Sequence, residues 1–140
     1  PKVPDEVIAR TTPLLLGDTT RTSRPDTLKE VMAMATAASP EAIAWAQRAI
    51  ALRPDSMDVL RATDVPAVVV TGAEDRLVAV EEATRMADAL PRGRLVIVPE
   101  VGHLQPLEAP DRITTLLTEL LDTAAPADAA RARRRGDIPC

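Results

Sequence analysis

The sequence predicts an α/β fold built on an incomplete parallel sheet. Three observations carry this. Two short runs, V-P-A-V-V-V-T-G at residues 65–72 and R-L-V-I-V-P at 94–99, are apolar and β-branched without alternation. Such runs mark strands buried on both faces, as in a parallel sheet covered by helices. Each run leads through a loop into a helical pattern, the strand–helix order of α/β domains. No third run of this kind stands in the 140 residues. Two parallel strands alone leave open edges and cover too little apolar surface, so the sequence asks for neighbouring strands that it does not contain.

The elements follow in order. The first sixty or so residues read as helices and turns. Residues 26–38 (D-T-L-K-E-V-M-A-M-A-T-A-A) are rich in helix formers, with Asp26 and Glu30 toward the start. Ser39-Pro40-Glu41 opens a second helix: serine caps, and proline suits the first helical position. That helix carries Ile43, Trp45, Ala46, Ala49, Ile50 and Leu52, with Trp45 expected to pack, and Pro54 stops it. Asp55 and Ser56 are placed to cap a short turn through Leu60. After the first strand, residues 80–90 form an amphipathic helix with Glu81 four residues before Arg85. Pro91-Arg92-Gly93 is a turn into the second strand. In residues 110–122, Ile113, Leu116, Leu117, Leu120 and Leu121 make one core-facing stripe. The expected organisation is a helical segment at 1–62, a strand–helix–strand–helix unit at 63–122 and a disordered tail at 123–140.

Composition narrows the classes. Hydrophobic residues at 46% and charged residues at 27% are globular proportions. With one Trp and neither Tyr nor Phe, packing falls to Leu, Val, Ile and Ala. The net charge is −4, and the arginines of the last ten residues leave −7 on residues 1–130. An acidic body without stacking rings argues against nucleic acid as a partner, and A-R-A-R-R-R-G reads as a solvated tail. No apolar run approaches the ~20 residues of a membrane span, and no signal peptide is visible, so the expected location is cytoplasmic. The one cysteine, Cys140, excludes an internal disulfide framework and a Cys-rich zinc site. The chain opens on Pro1 and not Met, so sequence upstream of it is expected.

The chemistry gathers in the two loops beyond the strand ends, where such sheets place functional groups. The first is G-A-E-D-R-L-V at 72–78; the second is E-V-G-H-L-Q-P-L-E-A-P at 100–110. Equivalent loops on neighbouring parallel strands bring Asp75 and His103, the only histidine, to one rim. A carboxylate there accepts from the imidazole Nδ1–H, fixes the tautomer and leaves Nε2 as a general base. Glu74 is the competitor for the acid role.

At these residues the chain resembles the C-terminal part of α/β-hydrolase-fold enzymes, over about residues 65–121. The family's strand-end Asp in G-x-x-D matches Asp75, and its His in G-H-x-x-x-x-E-x-P matches His103. The resemblance implies that these two are the triad acid and base, in the order Ser, Asp, His. Glu108 and Pro110 also match and are read as shaping a helix start. P-L-L-L-G-D-T-T-R at 13–21 and R-P-D-S at 53–56 resemble the cap segments of enol-lactonase-like enzymes and esterases. The resemblance implies a helical cap, the last two strands with their helices, an ester or lactone substrate for the complete enzyme, and no cofactor or metal.

The nucleophile elbow G-x-S-x-G is absent, since no pair of glycines brackets Ser23, Ser39 or Ser56. The isolated chain is therefore expected to show no esterase activity. It reads as the product of a truncated gene, as a partial stretch of a longer protein, or as half of a split enzyme completed by an N-terminal chain. The alternative is a non-catalytic interaction module that docks a partner or a second copy through its strand edges. A third possibility is a dehalogenase or haloperoxidase parent, which the nucleophile and pocket would decide.

Overall fold

The computed structural model describes residues 5–124. The tail expected at 123–140 is corrected at its start, since Thr123 and Ala124 continue the last helix, whose backbone bonding runs on past the apolar stripe; the rest of it, with the arginine cluster and Cys140, lies outside the described residues. The chain runs α1 (Asp5–Thr11), a 3₁₀ turn (Thr12–Leu15), α2 (Asp18–Ser23), α3 (Pro25–Ala37), α4 (Pro40–Ala51) and α5 (Met57–Arg61). Then follow β1 (Ala67–Gly72), α6 (Val80–Ala89), β2 (Gly93–Val98), α7 (Gln105–Glu108) and α8 (Pro110–Ala124). Among the described residues no helix is long and apolar enough to cross a membrane.

Local chemistry sets most boundaries. Pro25 and Pro40 stand in the first turns of α3 and α4, where the missing N–H costs nothing. Ser39 Oγ accepts from Ala42 N–H at 3.1 Å, capping α4. Before α5 the cap is Asp55, whose Oδ1 accepts from Met57 N–H at 3.0 Å. Ser56 instead turns its hydroxyl back to the Pro54 carbonyl. On α6 Arg85 pairs with Glu82 and not with the expected Glu81; both spacings bring side chains together, and the i, i+3 pair is the one formed.

The strands pair in parallel and in register, from Ala67 opposite Gly93 to Gly72 opposite Val98. They end level, so the loops that follow start at one rim. The loops are sewn to each other as well: Ala73 N–H donates to Val98 O and Glu74 N–H to Val101 O, both at 2.8 Å. Helix α6 packs on both strands through Ala83 and Ala87, small residues one turn apart that let helix and sheet approach closely. Helices α7 and α8 pack on β1, and α8 buries Leu116. Ile8, Leu16 and Val31 bury the N-terminal helices, with α1 packed on α3.

Three expectations about burial are corrected. The strands are not buried on both faces: Val68, Val69 and Val70 are half-buried, and Ile97 is 45% exposed. The stripe on α8 does not face a core along its length, since Leu117 and Leu121 are exposed. Trp45 does not pack; it is 68% exposed, on a helix with no buried residue. The strands and α8 share one reason. Periodicity says which face of an element is apolar, but two strands offer too little surface to cover every such face.

Candidate active site

Asp75 and His103 meet across the two loops. Asp75 Oδ2 lies 2.9 Å from His103 Nδ1. The other carboxylate oxygen, Oδ1, accepts from the backbone N–H groups of Leu77 at 2.8 Å and Val78 at 3.1 Å. That local turn is what aspartate favours, and it aims the second oxygen at the imidazole. The Asp75 side chain is 2% exposed and that of His103 37%, so the acid is covered while the base reaches solvent. Burial is the largest influence on Asp75 and raises its pKa. The His103 hydrogen bond and the Leu77 and Val78 N–H groups together outweigh it, so the carboxyl titrates below its ordinary value. With Nδ1 engaged, Nε2 is the nitrogen left for proton transfer.

Glu74, the competing acid, is turned elsewhere. It accepts from the Thr19 hydroxyl at 2.6 Å and the Thr19 N–H at 2.8 Å. These two bonds, the hydroxyl first, hold its carboxyl below the usual range. Its task is to tie α2 to the first loop. Beside it Asp18 takes Arg76 and Arg21, and the Arg21 hydrogen bond leads in lowering the Asp18 pKa. The Arg76–Asp18 pair is exposed and adds little stability.

The sequence did not disclose how the histidine loop is held. The end of the 3₁₀ turn and the residues after it cross against it: His103 N–H donates to Leu15 O at 3.0 Å. A methyl on Gly17 would stand 2.5 Å from a Glu74 oxygen and 2.9 Å from Gly102 N, so only glycine allows the crossing. Glu108 does not shape the start of α8 as expected. It is fully buried, and its carboxyl group accepts from Gly17, Gly102 and Leu104 N–H. A glutamate between leucine and alanine was the available hint, but its partners are backbone groups, which leave no side-chain signature.

None of the three serines stands on a strand–turn–helix step: Ser23 ends α2, and Ser39 and Ser56 directly precede α4 and α5. Ser23 and Ser56 donate to the Thr19 and Pro54 carbonyls, and Ser39 is the α4 cap. A cleft of about 630 Å³ lies among Asp55, Met57, Arg61, Glu82 and Arg85, and neither Asp75 nor His103 lines it.

No protein-family model matches the chain. It is 41% identical over 69 residues to the epoxide hydrolase EphH of Mycobacterium tuberculosis, covering 48% of this chain and 32% of that protein. It superposes on a thermophilic esterase from Thermogutta terrifontis with a TM-score of 0.80 at 32% identity, over 87% of this chain and 45% of that one. The enol-lactonase of Burkholderia xenovorans LB400 superposes with a TM-score of 0.75 at 20% identity, over 83% of this chain and 44% of that one, a likeness of fold alone. The chain thus spans about a third of EphH and less than half of these solved structures.

Proposed function

The chain carries the C-terminal portion of an α/β-hydrolase fold, and from that premise we propose that it supplies the acid and base of a Ser–His–Asp site for ester or lactone hydrolysis. The observation that carries this is the Asp75–His103 pair, 2.9 Å apart, with the second Asp75 oxygen pinned by two N–H groups. Asp75 holds the imidazole with its proton on Nδ1. His103 Nε2 then takes the proton of a serine hydroxyl as the serine oxygen attacks the carbonyl carbon. It returns that proton to the leaving oxygen, and in the second half-reaction activates the water that frees the acid. The serine and the oxyanion donors come from sequence outside this chain, encoded upstream or carried by a complementary N-terminal chain. This chain alone therefore turns over no ester.

The test is hydrolysis of an activated ester such as p-nitrophenyl acetate. We expect no turnover by the chain alone. Joined to the G-x-S-x-G region expected upstream, it gains turnover that His103→Ala abolishes and Asp75→Asn lowers by roughly 10⁴-fold. Turnover by the chain alone that disappears in His103→Ala would overturn its inactivity. A joined enzyme indifferent to His103→Ala would overturn the base assignment. An epoxide belongs in the assay because of the resemblance to EphH.

One observation favours a second reading, a non-catalytic module. Ile97 and the α8 residues Leu117 and Leu121 are exposed beside a two-stranded sheet whose outer edges are unpaired among the described residues. A soluble dimer of defined mass that retains its fold, with no nucleophile region upstream, would support the module over the hydrolase.

A further inference from the structure

We propose that Glu108 is a positioning residue for His103. Its buried carboxyl group fixes the histidine loop so that the imidazole meets Asp75. The inference rests on the acid–base reading of that pair.

The loop is bonded at every residue around the histidine. Glu108 Oε2 accepts from Gly102 N–H at 3.0 Å and Oε1 from Leu104 N–H at 3.0 Å, one on each side of His103. The N–H of His103 itself goes to Leu15 O. Three successive peptide groups are thereby oriented, and the direction of the His103 side chain from the backbone follows from them. Oε2 also accepts from Gly17 N–H at 2.9 Å, which locks the loop onto the crossing segment. Glu108 is in turn held by α7, through its N–H on Leu104 O at 2.9 Å, and by Arg24, whose guanidinium donates to its carbonyl. The bonds thus close a ring from Leu104 to Glu108 and back.

The chemistry calls for a carboxyl group. Both oxygens must accept, and Oε2 must accept twice. Glutamine has one acceptor, and its NH₂ would face an N–H donor inside a site closed to water. A buried donor without a partner is costly, so the loop would shift to avoid that clash. Glu108→Gln is therefore not conservative here, and the shift falls on the residues that flank His103.

The imidazole tautomer reads the effect. His103 is the only histidine in the chain, so its ring ¹⁵N shifts are assigned without ambiguity. In the full wild-type chain Asp75 biases the neutral ring to the Nδ1–H form. In Glu108→Gln the ratio of Nδ1–H to Nε2–H is expected to fall about tenfold, the factor carried by one weakened charge-assisted bond. Glu108→Asp, which keeps both acceptors on a shorter stem, should restore part of it. A folded Glu108→Gln chain with the wild-type ratio overturns the proposal, whatever its denaturation midpoint, because a merely structural glutamate leaves the tautomer unmoved. If the variant does not fold, amide exchange of the wild type decides. Protection of Gly17, Gly102 and Leu104 N–H matching that of the strand amides supports the clamp, and free exchange overturns it. Failure of the acid–base reading appears elsewhere, as a joined enzyme indifferent to His103→Ala.

Discussion

A single methyl at Gly102 tests the crossing on which the histidine loop rests. An ideal Cβ there would collide with Gly17 N and stand 2.6 Å from the Leu16 carbonyl carbon and 3.0 Å from Gly17 Cα. All are backbone atoms, so no change of rotamer relieves the overlap and the two segments must part. Two hydrogen bonds tie them directly, His103 N–H to Leu15 O and Gly17 N–H to Glu108 Oε2. Losing both costs about 2 kcal/mol, and burying a donor or acceptor left unpaired adds about 1 kcal/mol or more. Gly102→Ala should therefore destabilise the chain by ~3 kcal/mol. Urea unfolding of the full chain reads this directly. With a slope of about 1.5 kcal/mol/M, the midpoint falls by ~2 M while the slope holds. A midpoint within about 0.3 M of wild type would mean that the crossing yields at no cost, and the close approach of Gly17 and Gly102 would not be what holds the loop.

Acid should weaken the fold through the site's own carboxyls. Asp75 and Glu74 both titrate below their ordinary values of 3.8 and 4.5 in the folded chain. The unfolded chain then binds more protons in the acid range, so their stabilisation is complete above the ordinary values and is lost as pH falls through the lowered ones. The urea midpoint should hold from about pH 7 to 5 and drop below about 4.5, with a shallower drop in Asp75→Asn and in Glu74→Gln. An acid limb unchanged when both are replaced would assign it to other carboxyls. At the turn after β2, Glu100 has φ 59°, the left-handed region. Glu100→Gly should be neutral within about 0.5 kcal/mol, relief of strain offsetting glycine's entropy, while Glu100→Val should cost about 1–2 kcal/mol in the same assay. Equal stability of the two variants would show that the turn does not hold that conformation.

Much of the fold was legible in the chain order of residue types. The unbroken runs of valine and isoleucine mark β1 and β2, and the 3.6-residue spacing marks α6 and α8. Ser39-Pro40 and Pro54 bracket α4 because capping and proline sterics act within a few residues. The strand-end position of Asp75 and His103 was legible for a related reason. Parallel strands in register carry equivalent loops to one rim, so two local observations fix one distant neighbourhood. Less was legible wherever the partner is backbone or is far away. The short helix α7 hides in a loop between prolines, and the burial of the α8 stripe depends on which strands lie beneath it.

Local pattern sufficed for the kind of each element, because helix and strand follow from forces between residues a few positions apart. It also sufficed to name Asp75 and His103 as a pair, with Glu74 as the competitor. Packing settled their geometry: Asp75 and not Glu74 against His103, and Glu108 gathering N–H groups from as far as 91 residues away. Every residue but proline offers the same backbone donor, so such a bond leaves no mark in composition or spacing. Its existence is decided when the Leu15–Gly17 segment crosses against the histidine loop.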